Sequence, residues 1–390
     1  MRDFVSKKAK NIKPSGIRKF FDIVAESKDV ISLGVGEPDF ITPWDIREAG
    51  IKAIKKGYTQ YTSNKGMIPL REEISKYLKT YSVDFSADQT IITVGASEAI
   101  DLAFRAVVDE GDEVLIPDPS YVSYKPCVEL AGGVPVPVPC SGKNGFKLTP
   151  ESLESVITPK TKAIVFPYPN NPTGGIMERE YIEKIIPVIL KHDLLVISDE
   201  IYAELTYGGK HCSIASFSQM KGRVILISGF SKAFAMTGWR IGFVCAEQEV
   251  LSAMLKIHQY TTICAPIFSQ YAALEGLKQG YVDGYSAVKE MCLEYDRRRL
   301  FMYKTFTKMG LECFEPKGSF YIFPSVESLG MTGEEFATKL LERKKVAVVP
   351  GSAFGEFGKY YIRCSYAYSM KNLIEATDRI AEFVRELKQN

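Results

Sequence analysis

The sequence predicts an α/β fold: a large domain with a mostly parallel sheet flanked by helices, and a smaller α+β domain. Three observations predict it. Short apolar runs alternate with helical stretches between about residues 48 and 280, the pattern of strands joined by helical crossovers. Gly95–Ser97, Tyr121, Asn171, Asp199 and Lys232 stand at the carboxyl ends of those runs, where open parallel sheets bind ligands. From about residue 285 the pattern changes to long charged helices separated by short strands. The domains expected are an arm with part of the small domain over 1–47, a large domain over 48–285 and a small C-terminal domain over 286–390.

Residues 1–30 read as an arm and a short amphipathic helix around Ile17–Ala25. VISLGVGEPDFITP follows, with Gly34 and Gly36 where the backbone turns sharply or lies close to another group. No GxGxxG spacing marks it as a dinucleotide site. A helix over 45–56 leads to a polar loop with Tyr61, and then to a helix from near Pro69, where proline suits the first turn.

A strand over Thr90–Val94 runs into Gly95-Ala96-Ser97 and a helix from about Ser97, with Ile100, Ala103, Phe104 and Val107 on one face. That junction reads either as an anion site at a helix N-terminus or as a plain N-cap by Ser97. Strand Glu113–Ile116 leaves Tyr121 just past its end, placed to stack on a flat ligand or to pack the core. Short strands at 134–138 and 163–166 follow, the second running into the stiff loop PYPNNPTGG. Helix Glu178–His192 precedes strand Leu194–Ser198, which ends at Asp199-Glu200.

The central stretch is RVILISGFSKAFAMTGWRIGF, residues 223–243. Its apolar run Val224–Ile227 reads as a buried strand, followed by a small turn, Lys232, Arg240 and a second run Ile241–Cys245. A lysine at the end of a buried strand suits covalent chemistry with a carbonyl ligand; the alternative is one more solvated lysine. The C-terminal part reads as a helix near 287–309, GSFYIFPSV, helix Gly333–Lys344, strand Val346–Val349 and PGSAF. Strand Tyr360–Tyr366, which contains Arg363, and helix Lys371–Lys388 complete it.

Composition narrows the function. Net charge is +2 and no arginine-rich block occurs, which argues against nucleic acid as a partner. No apolar run approaches ~18 residues, so no membrane span is expected, and no apolar stretch follows the charged start as a signal peptide would require. The eight cysteines are scattered without a CxxC and the three histidines lack metal-ligand spacing. A reduced, cytoplasmic protein without a bound metal is expected.

Seven segments carry a resemblance: GEPDF at 36–40, YTSNKG at 61–66, GASEA at 95–99, PNNPTG at 169–174, SDEIY at 198–202, SGFSKAFAMTGWRIG at 228–242 and YIRCSYA at 361–367. In this order, across nearly the whole chain, they resemble the pyridoxal-phosphate-dependent aminotransferases of fold type I, class I/II, which include aspartate and aromatic aminotransferases. The resemblance implies pyridoxal 5'-phosphate as cofactor, because that group supplies the electron sink and the protein supplies attachment and orientation.

By this resemblance Lys232 forms the Schiff base with the cofactor and moves the substrate's proton. Asp199 pairs with the ring nitrogen, an N-cap for the next segment being the alternative. Tyr202 and Asn171 bond the ring oxygen, and Tyr121 stacks on the ring. The N–H groups of Gly95, Ala96 and Ser97, with Ser231 and Arg240, hold the phosphate. Tyr61 reaches that phosphate from the other subunit, which implies a homodimer with shared active sites. Arg363 clamps the substrate α-carboxylate, with Gly36 beside it; an ion pair stabilising the small domain is the alternative for Arg363.

The implied reaction moves an amino group from an L-amino acid to a 2-oxo acid such as 2-oxoglutarate by a ping-pong mechanism, with aromatic or aspartate donors favoured. Alanine and N-acetyl-diaminopimelate are alternative donors. A carbon–sulfur β-lyase shares the fold and lysine, but usually carries a histidine where this chain has Asn170-Asn171-Pro172. A DNA-binding regulator would need about seventy basic residues before GEPDF, and only 35 precede it.

Overall fold

The central apolar run becomes a strand because its residues can bury both faces at once. Our computed structural model describes residues 2–14 and 29–389; the helix expected around Ile17–Ala25 lies outside them. A short β1 (Ile31–Ser32) precedes β2 (Thr90–Thr93), β3 (Glu113–Asp118), β4 (Val134–Pro139), β5 (Thr161–Phe166), β6 (Leu195–Asp199), β7 (Val224–Gly229) and β8 (Gly242–Cys245). β2 to β8 form one seven-stranded sheet in the order β2-β8-β7-β6-β5-β3-β4. Only β8 is antiparallel to its neighbours, and the remaining pairs are parallel.

Alternation along each strand sorts the side chains into two cores. Ile92, Leu115, Ile164, Val196, Leu226 and Phe243 face one of them. Ile91, Val114, Ala163, Ile197, Ile225 and Val244 face the other, under helices that include Gly95–Val107 and Gln248–Thr261. Both faces being covered, β7 is buried at all six positions.

The C-terminal part gathers around a third core. Tyr295, Met302 and Phe306 of helix Ser286–Lys308 meet Phe336 and Leu340 of helix Gly333–Lys344, and Ile380 and Phe383 of helix Met370–Gln389. β9 (Tyr321–Ile322), β10 (Val346–Ala347), β11 (Val349–Pro350) and β12 (Ile362–Ser365) lie among them. The single strand expected over Val346–Val349 is therefore two, because its halves pair differently. Val346 is opposite Ile31 of β1, whereas Val349 is opposite Arg363 of β12.

Through β1 the segment before the large sheet is stitched to this part, and Leu33 continues the join by accepting a bond from Ser365. Arg298 donates from Nη1 to both carboxylate oxygens of Asp39, at 2.8 Å each. That pair, buried on its arginine side, anchors GEPDF, and with it Gly36, against the long helix.

Candidate active site

The two inner strands bring the first pair of ionisable groups together. β6 and β7 run side by side with Asp199 opposite Ile227, so Asp199 ends one strand where the turn to Lys232 leaves the other. Lys232 is part-buried, and its Nζ donates to the Gly36 carbonyl at 2.6 Å. The rings of Phe320 and Tyr202 lie 5.6 and 5.8 Å from that nitrogen. Burial pulls its pKa down from 10.5 to about 8; Arg363 and Arg240 push the same way, against Glu37 and Asp199. The solvated-lysine alternative does not describe this side chain.

Asp199 is 6% exposed. Burial raises its carboxyl to about 6, while the Tyr124 hydroxyl (2.7 Å to Oδ2) and the Ile201 N–H (3.2 Å to Oδ1) hold it down. One oxygen thus caps the following turn, as the N-cap alternative foresaw, and the other is bound by a tyrosine. Tyr121 packs edge-on against Tyr124, with ring centroids 5.6 Å apart at 82°.

The strand–helix junction beyond β2 differs from expectation at one point. The helix starts at Gly95, two residues before the predicted Ser97, and its N-cap is Val94, with no side-chain cap. Ser97 is exposed within the first turn, so the reading of Ser97 as N-cap is corrected. The physical reason is Gly95 itself, whose φ of +76° starts the helix where a residue with a Cβ would be strained. A Cβ there would also lie 2.7 Å from Arg240 Nη2, so the Arg240 guanidinium sits directly over the helix start. Gly242 brings β8 equally close, since a Cβ on it would lie 2.7 Å from the Ala96 nitrogen. Ser231 is buried in the same turn as Lys232.

Arg363 enters from β12 and is 3% exposed. Its Nη1 donates to Asn171 Oδ1 at 2.9 Å and its Nη2 to the Gly34 carbonyl. The guanidinium lies 4.4 Å from the ring centroid of Tyr321 and 4.8 Å from that of Phe354. Its Nε has no hydrogen-bond partner among the described residues, and no carboxylate there pairs with it. The ion-pair alternative for Arg363 therefore finds no partner among the described residues. Tyr321 also meets the Tyr202 hydroxyl at 3.1 Å and closes over Gly36, where a Cβ would lie 2.4 Å from its oxygen.

Lys232, Tyr202, Asn171, Gly36 and Arg363 are thus linked by contacts directly or through Tyr321, Asp199 and Tyr121 are linked through Tyr124, and Gly95, Ala96 and Arg240 form the strand–helix junction. Tyr61 stands apart, 79% exposed. Sequence reasoning missed Tyr124, Tyr321 and Phe354. Tyr124 had a local signal, three residues beyond Tyr121 on the same turn; the other two reach the site only through tertiary pairing.

Comparison with known proteins identifies the family of this chain. The family model for aminotransferase class I and II matches residues 28–380. An aspartate aminotransferase of Pyrococcus abyssi is 46% identical, over 97% of each chain. Aromatic-amino-acid aminotransferase 2 of Thermococcus litoralis is 42% identical, over 98% of this chain and 99% of that one. The solved structure of an aspartate aminotransferase from Thermus thermophilus with maleate superposes with a TM-score of 0.92 at 36% identity, covering 98% of this chain and all of that one. The chain belongs to the class I and II aminotransferases, enzymes of fold type I that use pyridoxal 5'-phosphate.

Proposed function

We propose that this enzyme transfers the amino group of an L-amino acid, with aspartate or aromatic donors favoured, to a 2-oxo acid such as 2-oxoglutarate in a ping-pong exchange. The observation that carries the reading is that Lys232, Asp199 and Arg363 converge while none of the three is in an ion pair among the described residues. Charges withheld from water without partners cost stability, and a site that binds charged ligands is where such a cost is kept.

The residues fit the cofactor. Lys232 would hold its aldehyde end, Asp199 its ring nitrogen, Asn171 and Tyr202 its ring oxygen, and Tyr121 its face. Gly95, Ala96 and Ser97, with Ser231 and Arg240, would hold the phosphate at a helix N-terminus. Bound there, pyridoxal phosphate supplies the electron sink that makes the substrate's Cα–H bond acidic. Lys232 Nζ, with its lowered basicity, is the group that takes the proton from Cα and returns it. Arg363 orients donor and acceptor alike by their α-carboxylates, its two nitrogens already aimed by Asn171 and Gly34.

Two further parts of the reading have support. Trp44, Ile54, Tyr61 and Ile68 are exposed apolar side chains within one stretch of the sequence, which favours a homodimer in which Tyr61 serves the partner's phosphate site. Pairing of β1 with β10 favours grouping residues 1–47 with 286–390, and 48–285 as the large domain. The substrate range follows relatives that act on aspartate and on aromatic amino acids. Incubation of the loaded enzyme with each donor and 2-oxoglutarate should yield glutamate. Absence of glutamate with aspartate, aromatic, alanine and N-acetyl-diaminopimelate donors would defeat the proposal.

A further inference from the structure

One hydrogen bond to a fully buried histidine lies beside the Gly95 junction and has no part in the roles above. Glu98, in the first turn of helix Gly95–Val107, accepts the Val94 N–H on Oε2 and meets His258 Nδ1 at 2.7 Å through Oε1. Val94 is the residue immediately before Gly95. His258 is fully buried in helix Gln248–Thr261, and its Nε2 has no partner among the described residues, so Glu98 is its one polar hold on this site. Burial works against the Glu98 carboxylate, yet the His258 and Val94 bonds outweigh it and keep the carboxyl below its usual range. A carboxylate can only accept, so Nδ1 is the donor.

We infer that Glu98, braced by His258, is a positioning residue for the phosphate site. It fixes the Val94 peptide and thereby the aim of the Gly95–Ser97 N–H groups. The inference rests on reading that junction as the phosphate site. Three features make aim matter there. The helix has no side-chain cap. Gly95 at φ +76° lacks the restriction that a side chain would impose. Arg240 and Gly242 lie close against the junction, so a small tilt of the Val94 peptide changes how its N–H groups stand to them. Glu98 is the side chain that ties the peptide before Gly95 to a second helix.

The test compares the apo protein's affinity for pyridoxal phosphate with that for pyridoxal, which lacks the phosphate, by absorbance titration. Wild type should prefer the phosphorylated form strongly; equal affinities would defeat the phosphate reading itself. Glu98→Ala should reduce that preference by about tenfold, the scale of one charge-assisted hydrogen bond, with pyridoxal affinity held within about twofold. Glu98→Gln, which keeps an acceptor for Val94, should recover part of it. His258→Phe should match Glu98→Ala, and the double variant should lose no more than either alone. A preference unchanged in folded variants, or affinities for both compounds falling in parallel, would overturn the inference.

Discussion

Replacing Tyr124 with phenylalanine removes one hydroxyl and keeps the ring that packs against Tyr121. That hydroxyl donates to Asp199 Oδ2 at 2.7 Å, and it opposes the burial that lifts the carboxyl to about 6. A hydrogen bond to a charged group contributes about 1.5–3 kcal/mol, and a pKa unit is about 1.4 kcal/mol, so its loss moves the carboxyl up by about one to two units. At pH 7 the ionised fraction then falls from about nine tenths to between about one half and one tenth.

Pyridoxamine 5'-phosphate isolates the effect, because it carries no aldehyde to engage Lys232. Its affinity for apo wild type should fall as pH drops through about 6 and Asp199 takes up a proton. In the variant the fall should come at about 7 to 8. Stability follows the same linkage. A carboxyl raised from 3.8 favours the folded state most below 3.8, and that contribution is lost as pH rises through about 6. The apo variant should therefore be less stable than wild type at pH 7 and closer to it at pH 4. Equal affinity midpoints for wild type and variant, within about 0.3 unit, would refute the reasoning.

Lys232→Ala should abolish turnover while leaving cofactor bound without a covalent link, read by absorbance and by release on gel filtration; near-normal turnover would contradict the assignment of Lys232. Arg363→Lys gives up the stacked, two-pronged guanidinium and should lower kcat/KM by at least about 100-fold, with Tm within about 3 °C of wild type. Unchanged kinetics would place the carboxylate clamp elsewhere. The rate of cofactor capture by the apo enzyme should rise with pH and level off above about 8, where the Lys232 amine has lost its proton. At pH 7 a lysine with a pKa near 8 is about one tenth neutral, against about three in ten thousand for one near 10.5, so a limb centred near 10.5 would show an unperturbed amine.

Much of the fold is legible in the chain where a run of apolar residues ends on one distinctive residue. β6 and β7 are such runs, and Asp199 and Lys232 mark their ends. Arg363 is legible for a related reason, as the charge inside an otherwise apolar strand. What escapes the sequence depends on partners far along the chain. The division of Val346–Val349 follows from which strands flank it, and Val349 meets Arg363 only through the sheet. The helix start at Gly95 follows from a positive φ that Arg240 and Gly242 pack against. His258, read in sequence only for its lack of metal spacing, proves to be the partner of Glu98, 160 residues away.

The central claim, that an amino group is passed from donor to acceptor through one site, is tested most directly by the visible absorbance of the loaded enzyme. Adding an L-amino acid donor without acceptor should convert that spectrum and release one equivalent of the matching 2-oxo acid per site. Adding 2-oxoglutarate should then restore the spectrum and release glutamate. A spectrum that returns unaided, with pyruvate and ammonia as products, would contradict the account and identify a lyase.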